Sequence, residues 1–175
     1  MNKFKHVLAF DLSSYGAALS IINQFVDDQL VKVFEVSPSG QSAVLILVSQ
    51  DLLGLQVIKS EAVSFYRSEI LEFSMIENIH EDVIPVYLSQ NKPGVSKALV
   101  IVEGPYVSTA LAIADKLVND KNVLLDFRVV RTGPKNVILT VGSEDVEYFE
   151  TVDMSGFKKT IIENIQPSLK AFFEI

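Results

Sequence analysis

The sequence predicts an α/β protein, an α+β sandwich of two tandem β-α-β-β-α repeats, each followed by a helical tail. Three observations carry this. Residues 97–142 (KALVIVEGPYVSTALAIADKLVNDKNVLLDFRVVRTGPKNVILTVG) read as strand, helix, strand, turn, strand. The same order recurs more faintly over residues 6–49. Between them lies a polar stretch, 89–94 (SQNKPG), with a Pro-Gly turn signal. It marks a linker between a first repeat at 1–90 and a second at 95–175.

In the first repeat, residues 7–12 (VLAFDL) are apolar almost throughout, as in a strand covered on both faces. Ser13 and Ser14 follow, and either hydroxyl can cap a helix. Ala18, Leu19, Ile22, Phe25 and Val26 then fall three and four apart, on one helical face. Residues 30–36 (LVKVFEV) alternate as a half-buried strand does. Ser37, Pro38, Ser39, Gly40 and Gln41 read as a turn, with Pro fixing φ and Gly free to take φ > 0. Residues 43–48 (AVLILV) predict a buried strand, and 50–67 a helix. The span 69–87 is ambiguous: a short strand at 70–73, then a helix limited by Pro85.

The second repeat restarts at 98–103 (ALVIVE). Gly104-Pro105 opens a helix whose apolar stripe is Val107, Ala110, Leu111, Ala114, Leu117 and Val118. Strands at 123–130 and 136–141 flank a turn of Arg131, Thr132, Gly133, Pro134 and Lys135. Residues 144–154 predict a short helix, and 157–173 a second helical stretch interrupted near Pro167.

The duplication can be followed by offset. A shift of 92 carries Ala18 to Ala110, Leu19 to Leu111, Val26 to Val118, Asp28 to Asp120 and Val31 to Val123. A shift of 93 carries Val36 to Val129, Gly40 to Gly133, Val44 to Val137 and Val48 to Val141. A shift of 86 carries Ile76-Glu77-Asn78-Ile79 to Ile162-Glu163-Asn164-Ile165, the same tetrapeptide. The offset changes in predicted turns and helix ends, where insertions are tolerated.

The totals narrow the function. The chain has 175 residues, 49% hydrophobic and 21% charged, which suits a packed protein. It has no Cys, so no disulfide or thiolate chemistry. A net charge of −7 disfavours nucleic acid and anionic membrane as partners. No apolar run approaches the about 20 residues of a membrane span. The N-terminus runs straight into a strand pattern without a signal-peptide core, and the expectation is a soluble, cytoplasmic protein.

The second repeat resembles a bacterial microcompartment shell-protein (BMC) domain. The likeness sits in Lys97-Ala98-Leu99, Ile101-x-Glu103, Ala110-x3-Ala114-Asp115, Asn122-Val123-x-Leu125 and Thr132-Gly133. The first repeat keeps a trace of it in Glu35-x3-Ser39-Gly40 and the strand after. Two such domains in one chain imply the tandem shell type: a trimer shaped as a pseudo-hexamer, joined by other shell proteins, with two kinds of turn alternating around a central pore or closed centre. The resemblance makes Ser37, Pro38, Ser39, Gly40 and Gln41 pore-lining from one repeat. Arg131, Thr132, Gly133, Pro134 and Lys135 would line it from the other, where repeated Arg131 and Lys135 would favour anions. The family's edge lysine is replaced by Asp27 and Asn119, which removes that contact from any flat tiling of rings.

No catalytic residue, metal site or cofactor is predicted. His6 and His80 read as partly exposed polar residues, not bases. Asp11 and Glu103 end equivalent strands. They could serve as an acid–base pair, but each is read more simply as stabilising the start of its own helix. Gly104-Pro105-Tyr106 lacks the spacing of a phosphate loop. Phe65, Tyr66, Phe149, Phe157, Phe172 and Phe173 read as core or inter-subunit contacts. The expectation is a structural, self-assembling subunit. The alternative is a regulatory module whose duplicated halves bind a small molecule.

Overall fold

Strand β1 (His6–Leu12) is buried at every position. It can be, because it lies inside a four-stranded antiparallel sheet of order β2-β3-β1-β4. Its neighbours are β3 (Ser42–Ser49), with Phe10 opposite Leu45, and β4 (Ile70–Ile76), with Phe10 opposite Phe73. β2 (Val31–Ser39) forms one edge. The computed structural model describes residues 4–27, 29–39, 42–89, 97–130 and 137–173.

Helix α1 (Tyr15–Phe25) starts at Ser14, whose hydroxyl accepts from the Ala17 N–H at 3.1 Å. Helix α2 (Leu52–Tyr66) starts at Asp51, which accepts from the Leu53 N–H at 3.0 Å. Alternation along β1 sends Leu8, Phe10 and Leu12 to one face. There they join a single apolar cluster with Ala18 and Ile21 of α1 and Leu55, Ile58 and Ala62 of α2. Leu19, expected on that buried face, is exposed instead. A short helix, α3 (Val83–Tyr87), follows β4.

The second half repeats the plan: β5 (Ala98–Gly104), α4 (Val107–Asn119), β6 (Val123–Val129), β7 (Val137–Ser143), α5 (Val146–Thr151), β8 (Lys158–Glu163) and α6 (Pro167–Phe173). Its sheet order, β6-β7-β5-β8, matches the first sheet strand for strand. Of the expected α4 stripe, Val107, Ala110, Leu111, Ala114 and Leu117 are fully buried.

Strand pairing gives the repeat a register. β1 maps to β5 by 92 and β3 to β7 by 94, because His6 faces Ser49 as Ala98 faces Ser143. β2 maps to β6 by 91. The shift of 93 read from the sequence is therefore replaced: Val36 corresponds to Phe127, and Ala43 to Val137. Both edge strands bulge at the same place. Phe34 is the extra residue between Val33 and Glu35, and Leu125 between Leu124 and Asp126. The shift of 86 holds in pairing, since Ile76 faces Val7 and Ile162 faces Leu99. The repeated Asn takes the left-handed conformation in both copies, with φ of 54° at Asn78 and 52° at Asn164.

Two expected elements differ. Residues 157–173 hold β8 and then α6 rather than one interrupted helix, and β4 runs to Ile76 rather than 73. Each half is thus β-α-β-β-α-β closed by a short helix, the split βαβ arrangement. Pro38, expected in a turn, lies within β2 opposite Ala43. An edge strand tolerates a residue that cannot donate to the ladder.

Chain contacts divide the molecule into two compact units. One gathers the chain up to Ile79 together with Tyr106–Ala112; the other gathers His80–Pro105, Ile113–Val130 and the C-terminal region. The start of α4 thus belongs with the first sheet. Among the described residues no helix is long and apolar enough to cross a membrane.

Candidate functional site

Of the residues assigned to a pore, three are described, and they fall at the end of the edge strand β2. Ser37 and Pro38 are on β2, and Ser39 is its last residue. Gly40 and Gln41 lie outside the described residues, as do Arg131, Thr132, Gly133, Pro134 and Lys135. Near the ends of β2 and β6 the two halves share one device. The acid after each bulge binds the side chain two residues on. The Ser37 hydroxyl donates to Glu35 Oε1 at 2.6 Å, and the Arg128 Nε–H donates to Asp126. Each bond ties the strand to itself near its end.

The clearest polar site is at Asp11. It lies on the face of β1 opposite α1 and α2, and it is buried. Its Oδ1 accepts from the Val107 N–H at 3.0 Å. Its Oδ2 accepts from the Ser108 N–H at 2.8 Å and the Ser108 hydroxyl at 2.5 Å. Asp11 therefore caps α4, within the first compact unit, and not the helix that follows it in sequence. Ser14 already serves α1. A carboxylate at a helix start meets free N–H groups and the positive end of the dipole. Burial nonetheless pushes its pKa above the ordinary 3.8; the bonds from Ser108 and Val107 pull it back, and Glu72, its cross-strand neighbour, raises it further.

A second polar contact lies in the other unit. Asp115 on α4 accepts from the His80 N–H at 2.6 Å, and burial raises its pKa while that bond lowers it. His80 Nδ1 accepts from the Asp82 N–H at 3.2 Å. His6, expected to be partly exposed, is buried at the start of β1, where its Nδ1 accepts from the Asn78 N–H at 3.2 Å. Both imidazoles thus act as backbone caps. Tyr148 donates to Asp120, and burial followed by that bond raises its pKa.

Gly104 ends β5 and holds no phosphate loop. A Cβ there would sit 2.4 Å from the Phe157 ring, so glycine is what lets that ring close over the strand. A recess of about 220 Å³ is lined by Val63, Arg67, Ile70, Leu71, Glu72 and Phe73. It is smaller than the roughly 300–1,000 Å³ of a typical ligand site. Among the described residues no group of three or more His, Asp and Glu side chains could hold a metal ion. Sequence reading missed that Asp11 serves α4. A carboxylate inside an otherwise apolar strand was the available signal, since such a group needs partners.

No family model and no curated protein matches the sequence. Among solved structures, a microcompartments protein from Desulfitobacterium hafniense superposes with a TM-score of 0.73 at 15% identity, over 97% of this chain and 99% of that one. This chain has that protein's fold. The coverage takes in both halves, so the doubled plan is common to the two. A putative glycine cleavage system transcriptional repressor aligns at 8% identity over 91% of this chain and 98% of that one, with a TM-score of 0.33. A mutant chlorite dismutase from Candidatus Nitrospira defluvii aligns at 10% identity over 97% and 93%, also at 0.33. Superpositions that loose carry no argument.

Proposed function

We propose that the chain is a structural subunit of the tandem shell type, assembling as a trimeric pseudo-hexameric ring and joining other shell proteins in the cytoplasm. The observation that carries this is the doubled fold shared with the microcompartments protein across 97% of the chain. Two sheets of equal strand order also give three copies six equivalent positions around an axis. In this reading the turns after Ser37, Pro38 and Ser39, with Gly40 and Gln41, alternate around the centre with Arg131, Thr132, Gly133, Pro134 and Lys135. The two basic residues would set a preference for anions there. The domains divide at 89–94, between 1–90 and 95–175. The Asp11, Asp115 and His6 contacts support a structural role, because each carboxylate or imidazole is engaged in holding backbone. No observation favours the small-molecule regulatory alternative.

Electron cryomicroscopy of the purified protein tests the reading. The expected particle is a three-fold ring of six similar lobes with both turns at the axis. Turns on the outer rim would overturn the pore assignment.

A further inference from the structure

The chain has two histidines, and both hold the same short connector. After β4 ends at Ile76 the backbone runs through residues 77–82 into α3. On the way it leaves the first compact unit at Ile79 and enters the second at His80. In the first unit, His6 Nδ1 accepts from the Asn78 N–H at 3.2 Å, and the Lys5 carbonyl accepts from the Ile79 N–H at 2.8 Å. In the second, His80 Nδ1 accepts from the Asp82 N–H at 3.2 Å. A ring nitrogen accepts a hydrogen bond while it carries no proton, and becomes a donor once it does. Histidine is also the side chain whose ordinary titration falls between about pH 5 and 8.

The duplication isolates what His6 contributes. By the shift of 92 its counterpart is Ala98, and by the shift of 86 that of Asn78 is Asn164. Asn164 makes the same left-handed turn, at φ 52° against 54°, with alanine in place of the imidazole. The turn therefore does not need the ring. His6 adds a tie from strand to turn, and a proton on Nδ1 removes that tie. The ring is buried. Ser49 faces it on β3, and Glu77 follows Ile76 at the position across from it on the β4 side. Lys5 precedes it. Helix α2, which packs on β1, brings Asp51, Lys59 and Glu61, and α1 carries no charged residue. Among the described residues none of these carboxylates forms an ion pair with His6. His80 differs. Asp82 Oδ2 lies 3.8 Å from its Nδ1, Asp115 of α4 accepts from its backbone N–H, and Glu81 adjoins it, with Lys116 next to Asp115. A protonated His80 that loses the Asp82 N–H still has carboxylates to donate to.

We propose that His6 is a pH-responsive latch on the connector that leads from the first unit into the second. At high pH the neutral ring holds the Asn78 amide. On acidification Nδ1 takes a proton, two donors then face each other, and the Asn78 amide is released. The bond from Ile79 to the Lys5 carbonyl does not involve the ring and stays, so the opening is confined to the turn. The second repeat, with Ala98, has no such latch and its Asn164 turn does not respond. The inference stands apart from the ring reading above, since each bond it uses lies within one chain.

Amide hydrogen exchange, followed by NMR on the isotope-labelled full chain, tests this with Asn164 as a control in the same sample. Each rate is corrected for the intrinsic pH dependence of exchange. Between about pH 8 and about pH 5.5 the corrected rate at Asn78 should rise about 2- to 12-fold, the effect of losing one hydrogen bond. The rate at Asn164 should not change. His6→Asn keeps an acceptor oxygen near the Nδ1 position and takes up no proton in this range, so it should hold Asn78 at both pH values. His6→Ala copies Ala98 and should leave Asn78 fast at both. An Asn78 rate that does not change with pH in the parent would overturn the proposal, as would a rise in His6→Asn equal to the parent's. Should either variant fail to fold, the comparison of Asn78 with Asn164 in the parent decides alone.

Discussion

Asp11 receives three hydrogen bonds at the end of a strand whose other residues are almost all apolar. Removing the charge while keeping the shape separates its two roles. In Asp11→Asn the amide NH₂ faces N–H groups of α4, which leaves a buried donor without an acceptor and should cost about 1–3 kcal/mol in urea unfolding. The pH dependence has a definite sign. The folded pKa of Asp11 lies above the ordinary 3.8, so its stabilising effect is full below that value and is lost as pH rises through the folded one. The stability gap between the parent and Asp11→Asn should therefore widen on acidification toward pH 3.8. A gap that widens with rising pH would contradict this account of the site.

At the scale of elements, the repeated Ile-Glu-Asn-Ile makes the sharpest statement. Asn78 and Asn164 both turn the chain out of an edge strand with φ > 0, which Asn tolerates and β-branched residues do not. Asn164→Gly should leave stability within about 0.5 kcal/mol of the parent, and Asn164→Val should lower it by about 1–2 kcal/mol. Equal thermal midpoints for the two variants would refute the conformational reading. The central strands, both first helices and α2 were legible because burial on both faces, or on one stripe, leaves a strong pattern. The edges were not. β8 (KKTIIE) is covered by one neighbour only, so it carries two lysines and a threonine and no clean alternation. β2 hides behind Pro38, a turn signal that an unpaired edge absorbs. The stretch joining β6 to β7 is three residues longer than that joining β2 to β3, and that is why one offset of 93 fails where the strands before it require 91 and those after it 94.

For the whole molecule, the duplication matters through what it leaves unequal. Helices α1 and α4 begin at equivalent places, yet among the described residues α4 has its start received by Asp11 and its Val107 and Leu111 buried, whereas the matching Tyr15 and Leu19 of α1 are exposed. Sequence could show the two copies and suggest the family. It could not show that Asp11 serves the other copy's helix, because that contact spans 97 residues. The duplication is read as two equivalent lobes of a subunit that closes a three-chain ring, the function proposed above. Size-exclusion chromatography with light scattering tests this most directly. The account predicts three times the chain mass of 19.4 kDa, about 58 kDa, held on dilution. A stable species at 19.4 kDa would contradict it.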